Sequence, residues 1–142
     1  MRGGNTGTSQ IVLDTNVLVS GLLSPHGPPA AILNLVINGS VVTVLDIRIF
    51  EEYSDVLGRK KFGFPADAVQ DLLAFIRREG LFVMPRPLSC PVPDPDDLPF
   101  IEVSLHTGTP IITGNVRHFQ KSGAVVTTPA EYLKQYWSSS GS

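Results

Sequence analysis

Short apolar runs rich in β-branched residues alternate along this chain with longer stretches whose apolar residues recur at helical spacing. "QIVLD" (10–14), "VVTVLD" (41–46), "LFVM" (81–84), "PIIT" (110–113) and "AVVTT" (124–128) read as strands. Between them, "NVLVSGLL" starts a helix that stops near Pro25, and "PPAAILNLVING" is a second helix with proline at its start and Gly39 at its end. The stretch from Ile47 to Arg59 carries Ile49, Phe50, Tyr53, Val56 and Leu57 on one stripe, and "PADAVQDLLAFIRREG" is again amphipathic. The Pro-punctuated "PRPLSCPVPDPDD" is a loop, followed by a helix from about Asp96 to His106. "GNVRHF" makes a turn and "PAEYLKQYW" a last helix. Strands alternating with helices imply βαβ units. The expected fold is α/β, a three-layer α/β/α sandwich with a mostly parallel central sheet of four to five strands.

At 142 residues and 42% hydrophobic composition, the chain is long enough for one domain with a proper core and too short for two ordinary ones. The domain is expected over residues 11–136, with 1–10 and 137–142 as flexible ends. A net charge of -2 argues against a broad basic coat that would grip nucleic acid unaided, although a local groove is compatible with it. The single cysteine, Cys90, excludes an internal disulfide and a multi-cysteine metal site, and it fits a reducing cytoplasm. With no run of membrane length and no signal-like opening, the expectation is a soluble, intracellular protein without membrane contact.

The first strand ends in a charge, Asp14, followed by a hydroxyl, Thr15, and an amide, Asn16. In parallel α/β sheets ligands sit beyond the carboxyl ends of the strands, where strand order reverses. Asp14 and Asn115, which lies just past "PIIT", would both face such a crevice if their strands are neighbours. At 100° per residue, Glu52 falls at the edge of the apolar stripe of its helix and Glu51 points away. Asp97 shares an inward face with Ile101, Ser104 and Leu105 in the first turn of its helix. Each residue also has a plainer reading. Asp14 would serve as a helix cap, Asp94 and Asp96 as turn and capping residues, and Arg59, Lys60 and Lys61 as a charged helix end. His26 and His106 carry no partner signal.

The set as a whole is harder to explain without a ligand. Two carboxylates about 4 Å apart repel by roughly 4 kcal/mol at an effective dielectric of 20, so three in a cleft call for a cation. Oxygen donors without histidine or cysteine suit Mg²⁺ or Mn²⁺, and such ions promote phosphodiester hydrolysis.

"VLDTNVLVSGLLSPHGPPAAIL", "EEYSDVLGRKKF", "PDPDDLPFIEVSL" and "IITGNVRHF", in that order, resemble the PIN domain family, in particular its small bacterial VapC-like branch of toxin ribonucleases from toxin-antitoxin pairs. The resemblance runs from about Ile11 to Leu133. It implies a parallel-sheet α/β/α domain and hydrolysis of RNA by acidic residues that bind Mg²⁺ or Mn²⁺. By motif, the catalytic and metal-binding acids would be Asp14, Glu52 and Asp97. The fourth acidic position is Asn115, which would add a neutral oxygen and leaves one metal or two open. Thr15, Asn16 and Thr113 match positions that orient ligands and water, and Arg117 and His118 would meet substrate phosphate, with packing at a turn as the plain alternative for His118. The implied partners are RNA and a small antitoxin protein, and homodimers are common in the family. Two alternatives stand beside this reading. One is a non-catalytic RNA-binding or scaffold PIN domain with a degenerate site. The other is a metal-dependent phosphatase of another α/β family using "DxDxT", although the residue two after Asp14 is Asn16 rather than the acid that class requires.

Overall fold

Ile11, Val12 and Leu13 are each fully buried, an apolar run without alternation, as expected for a strand covered on both faces. They belong to β1 (Ser9–Leu13) of a computed structural model that describes residues 8–89, 92 and 94–140. The order continues α1 (Thr15–Leu23), α2 (Pro28–Ile37), β2 (Val41–Leu45), α3 (Ile47–Leu57), α4 (Ala66–Glu79), β3 (Leu81–Phe82), α5 (Leu98–Thr107), β4 (Ile111–Ile112), β5 (Val126–Thr127) and α6 (Pro129–Ser140). Short 3-10 turns at Lys60–Phe62, Pro95–Asp97 and Val116–Phe119 join them. Cys90, most of the opening segment and the last two residues lie outside the described residues.

The five strands form one sheet in the order β3-β2-β1-β4-β5, and every pair is parallel. Helices flank it, so the α/β architecture expected from the alternation holds. α5 packs across β1, β2 and β4 at the middle of the sheet, while α2 packs on β2 and against α1 and α6. α1 and α2 approach so closely at Gly21 that a Cβ there would stand 2.6 Å from Leu33 Cδ1, which explains a glycine inside a helix.

Several boundaries depart from expectation, and the last helix runs on to Ser140. The last three strands shrink to two residues each, although backbone hydrogen bonds to neighbouring strands continue at Val83, Thr113 and Val125. The helix expected to open near Asp96 instead begins at Leu98, after a 3-10 turn. The Asp94 carboxylate accepts a hydrogen bond from the Asp96 N–H at 2.9 Å, and the Asp94 carbonyl accepts from the Asp97 N–H at 3.0 Å, tightening that turn. Asp97 therefore occupies the cap position of α5 rather than its first turn, and Leu105, expected on the same inward face, is 40% exposed.

Candidate active site

β1 and β4 are neighbours, in the register Val12 with Ile111 and Leu13 with Ile112, and the direction of chain progression across the sheet reverses between them. The condition that brings Asp14 and Asn115 to one crevice is therefore met. Asp14 leaves β1 with its N–H bonded to the Ile112 carbonyl at 3.0 Å, and its Oδ2 accepts a 2.6 Å hydrogen bond from the fully buried Thr113 hydroxyl at the end of β4. The same hydroxyl accepts from the Asn115 N–H at 2.9 Å.

Asp46 ends β2 just as Asp14 ends β1, and both precede a helix. The Asp46 carboxylate caps α3 by accepting from the Ile49 N–H at 3.1 Å and is also held by Arg48. Asp14 makes no capping hydrogen bond to α1, although the nearby N–H groups of Thr15 and Asn16 favour its charged form. The capping explanation thus holds at Asp46 and fails at Asp14.

Glu52 arrives from α3, where it is half-buried while Glu51 is exposed, as the helical phase requires. The Thr15 hydroxyl donates to its Oε2 across 37 positions of sequence. Tyr53, fully buried on the same helix, donates to the Leu13 carbonyl at 2.5 Å and so pins α3 to the end of β1. Asp97 faces His118, with Oδ2 and Nδ1 3.8 Å apart.

The carboxylates sense one another. Burial raises the Asp14 carboxyl above its usual range, against the hydrogen bond from Thr113 and the backbone N–H groups. Burial, then the Asp14 charge, raises Glu52 against its hydrogen bond from Thr15. Asp97 is pushed up to about 6 by burial and by the charges of Asp94 and Asp14, with His118 opposing. Three acids from three separate elements share one electrostatic neighbourhood at a strand-order reversal, which is an arrangement typical of functional sites.

A family profile described as PIN domain matches residues 10–117. The chain belongs to the PIN domain family. It is also 32% identical to an uncharacterized protein, MJ1680, of Methanocaldococcus jannaschii, over 89% of this chain and 91% of that one. PIN domains are generally metal-dependent nucleases, and membership sets aside the phosphatase alternative. Among the described residues, no helix of this PIN domain is long and apolar enough to cross a membrane.

The donor set of this PIN domain suits a hard divalent cation: carboxylate oxygens from Asp14, Glu52 and Asp97 and an amide oxygen from Asn115, without histidine or thiolate. Among the described residues, however, no three His, Cys, Asp or Glu side chains are drawn closely enough together to hold an ion as they stand. Thr113 and Thr15 hold two of the acids by hydroxyl donors, and His118 faces the third. Arg117 and His118 are exposed on the 3-10 turn after Asn115. Asp94 is occupied within its own turn, and Arg59 pairs with Asp55 at 2.9 Å.

Sequence reasoning missed one cluster. Arg48 bridges two nearly fully buried acids, Asp46 at 2.6 Å and Glu102 at 2.8 Å, and the second oxygen of Glu102 accepts from the Leu88 N–H at 2.7 Å. This network ties the start of α3, which carries Glu52, to α5, which follows Asp97. A cavity of about 780 Å³ beside it includes none of the three site acids. The available signal was Asp46 ending an apolar strand, the same signal read at Asp14.

Proposed function

We propose that this PIN domain is a metal-dependent endoribonuclease that hydrolyses RNA phosphodiester bonds at the crevice beyond β1 and β4. The observation that carries the reading is that Glu52 and Asp97, from two other elements, both feel the charge of Asp14 at that crevice. Like charges in such a position are offset by a cation or by protonation. Asp14, Glu52 and Asp97 would hold Mg²⁺ or Mn²⁺, with Asn115 adding a neutral oxygen or a contact through water. When bound, the ion supplies charge neutralisation for the phosphate and acidification of the attacking water. Thr113 and Thr15 orient the Asp14 and Glu52 carboxylates, and Asn16 lines the approach. Arg117 and His118 bind the substrate phosphate, since both are exposed beside Asn115 and carry donors suited to an anion.

The finer reading is the toxin of a toxin-antitoxin pair acting in a reducing cytoplasm, with a small antitoxin protein covering the crevice and a homodimer as the working unit. Its support is the likeness of the four motifs to that branch. A second reading, a PIN domain that binds RNA without cutting it, is favoured by Asn115 at the fourth acidic position.

Labelled single-stranded and hairpin RNAs incubated with the purified protein distinguish the two. Internal cleavage with Mg²⁺ or Mn²⁺ and none in EDTA is expected. Cleavage indifferent to EDTA would overturn metal dependence, and RNA that is bound but never cut with either ion would favour the second reading.

A further inference from the structure

A cavity of about 450 Å³ opens beside the acids, between the α1–α2 pair and the loop from β4 together with the start of α6. Its polar lining comes from Asn16, Ser20, Asn115 and Thr128, and its apolar walls include Pro29 and Pro129. No charged side chain lines it. Among the described residues, the Asn16 and Asn115 carboxamides and the Ser20 hydroxyl have no hydrogen-bond partner.

Two helices start at this cavity, yet neither start is suited to an anion. The first two residues of α2 are Pro28 and Pro29, which have no N–H. At α6, Pro129 leads. The Glu131 N–H donates to the Thr128 hydroxyl at 3.1 Å, and the Thr128 N–H donates back to Glu131 Oε1 at 3.4 Å, which closes a capping box and places a carboxylate there. The neighbouring acids add a negative field. A phosphate would be repelled, whereas a neutral planar group with hydrogen-bonding edges finds amide donors and acceptors along its rim and flat pyrrolidine rings along its walls.

We propose that this cavity is a nucleobase pocket, taking the base of a nucleotide next to the bond that is cut. The proposal rests on the nuclease reading above. Its chemical basis is that the base is the uncharged and planar part of a polyanionic strand, with hydrogen-bonding edges, and that Asn16 and Asn115 belong both to the pocket and to the rim of the acidic crevice. A base must leave its stack to enter a pocket, so the nucleotide bound there is unpaired.

The test is nuclear magnetic resonance titration of the ¹⁵N-labelled full chain in EDTA, with AMP and UMP as probes and ribose 5-phosphate as the baseless control. Saturable shifts of the Ser20, Gly114 and Ala130 amides are expected with at least one nucleotide and not with ribose 5-phosphate. Ala130 is exposed and lines the pocket, so Ala130→Trp should fill it and weaken nucleotide binding by about tenfold or more. Gly114→Leu is an independent block, because a Cβ at Gly114 meets nothing within 4 Å and its backbone is free of positive φ. Equal shifts with ribose 5-phosphate, no shift with either nucleotide, or undiminished binding in both folded variants would overturn the pocket. Because no metal is present, these outcomes are separate from the cleavage assay: loss of cleavage alone sinks the nuclease reading, and loss of nucleotide binding alone sinks the pocket.

Discussion

The Thr113 hydroxyl donates a 2.6 Å hydrogen bond to Oδ2 of Asp14, a residue 99 positions earlier in the chain. It also receives the Asn115 N–H, so one fully buried side chain orients the first acid and the start of the turn that presents Asn115. Thr113→Val keeps the shape and removes both bonds. We expect a loss of about 1–2 kcal/mol in stability and a fall in cleavage rate well beyond what the small change in folded fraction explains. Denaturant unfolding alongside RNA cleavage checks this, and wild-type cleavage in the variant would show that the hydroxyl does not orient Asp14.

Asp14→Asn should abolish cleavage and leave the fold intact. It keeps the volume of a half-buried group and removes a charge whose burial is unfavourable, so thermal stability in EDTA should stay the same or rise. Cleavage at the wild-type rate with the wild-type metal dependence would remove Asp14 from the site.

Glu52→Gln and Glu51→Gln separate two neighbours with the same chemistry. Glu52 is half-buried and bonded to Thr15, whereas Glu51 is exposed. Activity should drop by at least about 100-fold in the first, the scale on which positioned charged groups act in catalysis, and change little in the second. The reverse ranking would contradict the assignment.

Asn115→Asp supplies the missing anion at the fourth acidic position. Metal affinity measured by calorimetry should rise, because an added carboxylate offsets the desolvation of the ion. Activity can move either way, since tighter binding helps only if it favours the transition state. Unchanged affinity would mean that this position does not face the metal.

Asp97 is pushed up from 3.8 to about 6, so in metal-free protein the folded state holds a proton that the unfolded chain has released. Its ionisation therefore costs nothing below 3.8, where both states are protonated, and costs most above about 6. Burial and the Asp14 charge raise Glu52 in the same sense. In EDTA, Asp97→Asn should gain on the wild type in melting temperature as pH rises through this window and then level off. A gain that shrinks with rising pH would contradict the shift.

Much of the site is visible in local pattern. The β-branched runs ending in Asp14 and Thr113, the helical phase that separates Glu52 from Glu51, and the order of the four motifs depend on spacings of a few residues, where period 2 and period 3.6 leave clear marks. The start of α5 was less visible, because the hydrogen bonds of Asp94 tighten the chain into a 3-10 turn that apolar periodicity does not register.

Asp14 and Asp46 mark where such reading stops. Each follows a buried strand and precedes a helix, so spacing and composition treat them alike. Their difference comes from partners remote in sequence. Arg48, itself bonded to Glu102 of α5, holds Asp46 in its cap, while Thr113, just past the strand that pairs with β1, donates to the Asp14 carboxylate. Which strands become neighbours depends on how the whole apolar surface is buried at once, a property of the packed chain that no local window contains. Local pattern thus set the elements and their inward faces, and the packing of β4 beside β1 gave one of two locally equivalent aspartates, Asp14, its partner Thr113.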